Sequence, residues 1–228
     1  MEKLDIFIKG ELIDLCIPTP EFARDSEWYS WFNNPNTNKY LEQGAFPNTR
    51  EDELNFYQNE HNKRLLLVVT DKEGDTLGVI SLSFINFAKR LADIAIVLSD
   101  KEKPVLSGLE AMALITQHAF TTMGLTRIQG GQHQDLKQWG NMMELIGYRN
   151  EGIWVNGFIK GAERVNDHRF AINIEDYNTI VKNRGSLWDS NTNMFKRIRK
   201  MPKKSYIDQL YDFYSNTREE YYKSVFSL

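Results

Sequence analysis

The apolar positions of this chain change period several times, and each change predicts an element. From Ile6 to Ile17 they alternate in part, through Ile8, Leu12, Ile13 and Leu15, which predicts a strand closed by Pro18 and Pro20. Glu21 to Phe32 carries Phe22, Trp28, Tyr29, Trp31 and Phe32 and reads as a helix that the turn residues NNPNTN end. Asn48-Thr49 offers a cap for a second helix, REDELNFYQNEHN, with Leu54, Phe56 and Tyr57 as its apolar stripe. RLLLVVT from Arg64, TLGVISLSFINF from Thr76 and the run Leu91 to Leu98 then predict three strands in an antiparallel meander.

The stretch from Arg90 to Gly130 organises the rest. After Asp93, Ile94, Ala95, Ile96, Val97 and Leu98 make an unbroken apolar run, which suits a central strand covered on both faces. A helix follows, with Pro104 in its first turn, Leu106, Leu109, Met112, Ala113, Ile115, Thr116, Ala119 and Phe120 at helical spacing, and Gly124 past its end. A strand feeding a helix through a Gly-containing turn leaves backbone N–H groups free at the positive end of the helix dipole, which is a site for an anion. Thr126 to Gln132 is a further strand, Leu136 to Leu145 a helix ended by Gly147, and the segment to Ile174 reads as two strands around GAERVND. The order β α α β β β α β α β β predicts a mixed α/β (α+β) fold with a mostly antiparallel central sheet flanked by helices.

Composition adds bounds. With 228 residues, 41% of them hydrophobic and 26% charged, the chain reads as one globular domain with an appendage. A net charge of −3 gives no reason to expect nucleic acid as partner. A single cysteine, Cys16, excludes an internal disulfide and a thiol cluster for zinc, so no metal is expected and the expected setting is reducing cytoplasm. The start MEKLDIFIKGELID has no apolar signal core, and no window reaches membrane-spanning length. The division expected is 1–174 for the domain and 175–228 for a helical C-terminal extension of charge +3, against −6 before it. Its basic run (Lys196, Arg197, Arg199, Lys200, Lys203, Lys204) reads first as a solvated face, with a nucleotide diphosphate or an anionic membrane surface as sharper readings. The stripe Ile207, Leu210, Tyr211, Tyr214, Tyr221, Val225 and Leu228 predicts a final helix docking on the domain or on a second subunit, a homodimer contact.

The element order, the strand-turn-helix at Arg90 to Gly130 and the segment LIGYRNEG (Leu145 to Gly152) resemble the GNAT N-acetyltransferases, which move an acetyl group from acetyl-CoA to an amine. Within that superfamily, WFNNPNTNKYL, GVISLSFINFAKRLADIAIVLSD and NGFIKGAERVNDHRFAI are similar to bacterial enzymes that acetylate nucleotide-linked amino sugars, as in the pseudaminic-acid pathway. The same opening motif occurs in acetyltransferases of protein N-termini and of spermidine. The resemblance implies a pantetheine arm pairing along Ile96, Val97 and Leu98, and a pyrophosphate on a Q/R-x-x-G-x-G/A turn. Here that turn is Lys103 to Gly108, with Ser107 and Gly108 at the helix start and Lys101 and Lys103 as charges, but Leu106 stands where the first glycine belongs. A leucine adopts φ > 0 with difficulty, so weakened CoA binding or a shifted loop is expected.

For the chemistry, the family's usual thiolate-protonating tyrosine falls on Met143, which has no proton to give. His133 at a strand end is the candidate base, which a hydrogen-bonded strand-end histidine explains equally well, Asp93 a base or substrate anchor, and Tyr148 a nearby phenol that core packing explains better. His118 and Glu110 read as structural, Glu110 through the helix dipole; His168 could face the acceptor. On the acceptor side, the resemblance implies the loop Asn33 to Phe46, with Asn34, Asn38 and Tyr40 as ligands and Trp31 and Trp154 as stacking surfaces, although core packing is favoured for Trp31, which shares a short helix with Trp28. Three alternatives stay open: a nucleotide-linked amino-sugar acetyltransferase, a protein N-terminal or polyamine acetyltransferase, and a non-catalytic module that keeps the fold.

Overall fold

A computed structural model of the chain describes residues 3–101 and 104–228. The strands are β1 (Ile6–Lys9), β2 (Asp14–Cys16), β3 (Leu65–Thr70), β4 (Thr76–Asn86), β5 (Leu91–Leu98), β6 (Arg127–His133), β7 (Arg149–Lys160) and β8 (Glu163–Asn173). They form one eight-stranded sheet in the order β1-β2-β3-β4-β5-β6-β8-β7. All neighbours are antiparallel except β5 and β6. The single predicted strand Ile6 to Ile17 is in fact a hairpin, turned at Gly10, where the N–H donates to the carbonyl of Ile13 at 3.1 Å. The loop expected around GAERVND is tighter than its sequence suggests, because β8 already starts at Glu163.

Helices α1 (Pro20–Asp25), α2 (Trp28–Trp31) and α4 (Arg50–Glu60) cover one face of the sheet, and the short α3 (Pro35–Asn38), which has no buried residue, lies in the connection between α2 and α4. The one helix expected over Glu21 to Phe32 breaks in two at Ser26, whose hydroxyl accepts the N–H of Trp28. Thr49 and Asp52 close a capping box on α4, which confirms its predicted start. Against this layer Leu66, Val68 and Val79 pack with Phe22, Trp28 and Trp31. On the other face α5 (Ser107–Thr121) and α6 (Lys137–Glu144) lie over Leu67, Val69, Ile80, Leu82 and Ile94. The unbroken apolar run of β3 thus has a plain cause: residues of both parities are buried, each under its own helical layer.

Helix α5 begins later than expected. Pro104 lies outside it, and Leu106 is its N-cap. Glu110 is fully buried in its first turn and accepts backbone N–H bonds from Glu11 and from Leu12, the latter at 2.8 Å, so it anchors the β1–β2 turn rather than merely answering the helix dipole.

The extension follows β8 directly with α7 (Ile174–Arg184), α8 (Asn191–Ile198), α9 (Tyr206–Phe213) and α10 (Glu219–Phe226). Trp188 Nε1 and Asn191 N–H both donate to Glu11, and Arg184 donates to the carbonyl of Leu145. The basic run is dispersed: Arg197 pairs with Asp189 at 2.5 Å and Lys204 with Asp212. The final stripe is not continuous, because a π turn over 214–218 shifts its register; Ile207 is buried, whereas Tyr221 and Leu228 are exposed.

Candidate active site

The parallel pairing of β5 with β6 stops early. Leu91, Ala92 and Asp93 pair with Arg127, Ile128 and Gln129, and beyond Asp93 the two strands splay. On its other side β5 stays paired to β4 as far as Leu98. Residues Ile94 to Leu98 therefore present an open backbone edge inside a sheet, a place where an extended amide-bearing chain pairs as an added strand. Gly130 sits at the fork, where a Cβ would come within 3.1 Å of the carbonyl of Ile94 and 2.8 Å of the Phe170 ring. Asp93 is the last paired residue, and Gln129 Nε2 donates to it at 3.0 Å, which satisfies the polar interruption that the sequence showed.

At the far end of β5 the chain turns into α5. Leu106 has φ 72° and ψ 6°, the left-handed conformation a glycine would take freely. The side chain costs about 1–2 kcal/mol here, and the turn is formed nonetheless. Leucine thus takes up the conformation that its side chain makes difficult. Ser107 and Gly108 are buried; at Gly108 a Cβ would meet Leu98 at 2.8 Å and Trp139 at 3.2 Å, so the absent side chain lets α6 close on the start of α5. Lys101 Nζ reaches Glu27 at 2.6 Å in an exposed pair, and Lys103 lies outside the described residues.

A cavity of about 600 Å³ opens on the opposite face, between the sheet and the loop 42–48. Its floor is Leu66, Val79, Ser81, Ala95 and Val97; its walls are Trp28, Phe32 and Phe56; its carboxylates are Glu42, Asp52 and Glu53, with Arg64 as its cation. Arg64 is already paired with Glu60 at 2.6 Å. Trp28 is 1% exposed and its indole N–H has no acceptor among the described residues. Glu53, 4% exposed, accepts from Asn48 Nδ2 at 2.6 Å, and burial pushes its carboxyl from 4.5 up to about 7. Sequence reasoning passed over Glu53. It shares a helix face with Phe56 and Tyr57, three and four residues on, and an acid on an apolar face is the signal that would have found it.

The expected residues fall elsewhere in part. His133 ends β6, buried between Tyr40 (ring centroids 5.2 Å apart) and Phe158 (4.8 Å). Its Nδ1 accepts the N–H of Asp135 at 3.2 Å and caps a short turn, which leaves the proton of the neutral ring on Nε2. Tyr148 is not along the cavity: it is 2% exposed, its hydroxyl lies 2.6 Å from Thr116 Oγ1 inside the core, and burial pushes its phenol well up. Met143 is equally buried. Trp31 is core rather than a stacking surface, at 5% exposure. Asn34 caps α3 and binds Asp100, and Asn38 takes the ammonium of Lys160, so both brace the loop instead of lining the cavity. Trp154 lies on β7 with the Arg169 guanidinium 4.1 Å over its ring, beside a separate cavity that also holds Arg127 and Tyr214. Among the described residues no group of three His, Cys, Asp or Glu side chains gathers as a metal site.

The profile of the acetyltransferase (GNAT) domain family matches residues 15–149, more than half of the chain. The chain belongs to the GNAT acetyltransferases. As a member of this family it is an N-acetyltransferase that takes its acetyl group from acetyl-CoA, and the splayed β5 edge and the Leu106 turn fit such a donor. The solved structures similar to it agree in fold. The spermidine N-acetyltransferase of Vibrio cholerae, crystallised with CoA and spermine, matches with a TM-score of 0.67 at 18% identity, covering 74% of this chain and 99% of its own. A GNAT-family acetyltransferase of Bacillus anthracis gives 0.64 at 24% identity, with 75% and 99% covered. The microcin C7 self-immunity acetyltransferase, bound to acetyl-CoA and AMP, gives 0.62 at 22%, with 72% and 93% covered. A search of curated sequences returned no match. The GNAT core thus spans these enzymes almost completely, and roughly a quarter of this chain has no counterpart in them.

Proposed function

We propose that this GNAT acetyltransferase acetylates a primary amine of a small cationic compound, of the polyamine class. The observation that carries the reading is the composition of the cavity beside β5: three carboxylates, Glu42, Asp52 and Glu53, against one arginine that Glu60 already neutralises. An ammonium gains Coulomb energy there, and the methylene segments of a polyamine find Trp28, Phe32 and Phe56. In this reading the pantetheine arm pairs along Ile96, Val97 and Leu98, the pyrophosphate meets the turn at Leu106 with Lys101 in reach, and the thioester lies between β5 and the cavity. The exposed Lys101–Glu27 pair is worth under about 1 kcal/mol and yields readily to a phosphate.

The second reading keeps the nucleotide-linked amino sugar that the sequence resemblance suggested. Trp154 with Arg169 and Arg127 favours it, as an aromatic and cationic surface for a nucleotide. Those arginines are, however, paired with Asp167 and Glu151, and a nucleotide diphosphate would meet net negative charge at the main cavity.

The test is a coupled assay of thiol release from acetyl-CoA with linear polyamines and with nucleotide-linked amino sugars as acceptors. Turnover with polyamines and none with the sugars is expected. The reverse result would replace the first reading by the second.

A further inference from the structure

We infer that Glu53 is the group that takes the proton from the acceptor ammonium, so that the amine enters the transfer as a nucleophile. The inference rests on the cationic-amine reading above. Three carboxylates share the cavity, and two are otherwise placed. Asp52 is consumed by its capping box with Thr49, and Glu42 stands in the exposed loop. Glu53 alone is inside, at 4% exposure, in the same cavity as Ala95 and Val97 of the splayed strand.

Its position is fixed from outside the helix. Asn48 donates to Oε2, and Asn48 is itself held by a reciprocal pair with Asn33, N–H to Oδ1 and Nδ2 to the carbonyl, both at 2.7 Å. No described residue donates to Oε1. The charged groups facing Glu53 are Asp52 on its own helix, Glu42 from the loop and Arg64 at the start of β3. The competing base, His133, is at a disadvantage: with Nδ1 accepting from Asp135, the proton of the neutral ring sits on Nε2, which is buried and has no partner among the described residues, so neither nitrogen offers a free lone pair to an amine.

A carboxyl pushed by burial to about 7 also suits the task. An alkylammonium near 10.4 gives its proton to an ordinary carboxylate against about six pKa units, and to this one against about three. The step balances. The ammonium proton passes to Glu53; the free amine attacks the thioester carbon, forming the C–N bond as the C–S bond breaks. The second proton lost by nitrogen goes to the departing thiolate, and Glu53 returns its own to water.

The experiment compares Glu53→Gln with the wild type over pH 6–10, using spermidine as acceptor and saturating acetyl-CoA. In the wild type, kcat should rise through an ionisation near 7 and then level. In the variant, kcat at pH 7 should drop on the order of 100-fold and climb about tenfold per pH unit as free amine forms, with the Kd for CoA unchanged. A variant within threefold of wild-type kcat, or one that raises KM alone, overturns the inference and leaves the amine reading standing. A wild-type profile without an ionisation near 7 overturns it too, whatever the variant does. If the wild type acetylates no polyamine, both fall.

Discussion

Tyr211 of the extension holds His168 of the sheet: the phenol oxygen lies 2.8 Å from Nε2, the rings are 5.3 Å apart, and Lys137 of α6 sits 4.5 Å over the same phenol. His168 is fully buried. The extension is thus bonded to the strand that neighbours β6, one position along the register from the His133–Asp167 pair. Replacing Tyr211 by Phe leaves a buried ring nitrogen without its partner and should cost about 1–3 kcal/mol in denaturant unfolding. An unchanged midpoint would show that α9 does not depend on this bond.

The same histidine sets an acid limit. Burial first, then the charges of Lys137 and His133, push the His168 imidazole from 6.5 down to about 4. Its stabilising contribution is therefore complete above pH 6.5 and is lost as pH falls toward 4, by up to about 3 kcal/mol. Thermal unfolding of the wild type and of His168→Gln across that window checks the sign: the variant should lack this part of the decline.

Glu53 acts in the opposite direction. Its carboxyl is raised from 4.5 to about 7, so the folded state is penalised progressively as pH rises from 4.5 through 7. Glu53→Gln should accordingly be more stable than wild type at pH 7.5, by up to about 3 kcal/mol, and no more stable at pH 4. A gain in stability coupled to a loss of turnover is the expected signature of a functional residue.

Leu106 holds the turn that leads into α5 in a left-handed conformation. Leu106→Val puts a β-branched side chain at φ > 0 and should cost about 2 kcal/mol, more than the lost methylene explains, with a raised KM for acetyl-CoA. An equal loss for Leu106→Val and a Leu→Val change at Leu114 would argue that the turn stores no strain.

Glu110→Ala should destabilise by about 2–4 kcal/mol, because it removes the acceptor for the N–H groups of Glu11 and Leu12 and opens a hole in the core under β2. Urea unfolding measures it. Glu11 also receives Trp188 and Asn191, so hydrogen exchange in 187–198 should rise in the same variant.

The periodicity of the chain was enough for the sheet, the meander, α4 with its Thr49 cap and α5, since these depend on side-chain period and local capping, which lie within a few residues of one another. The hairpin in Ile6 to Ile17 escaped because the acceptor that pins its turn, Glu110, is about a hundred residues away. Core packing of Trp31 and Tyr148 was the favoured reading of the sequence, whereas the roles of Asn34 and Asn38 escaped, because an amide reads the same in a list of residues whether it meets a ligand, a carboxylate or a backbone carbonyl. What only packing decides is which carboxylate loses its water. Asp52 and Glu53 are adjacent in the chain, and the helix turns one to its cap and the other under the loop 42–48, where desolvation changes its chemistry.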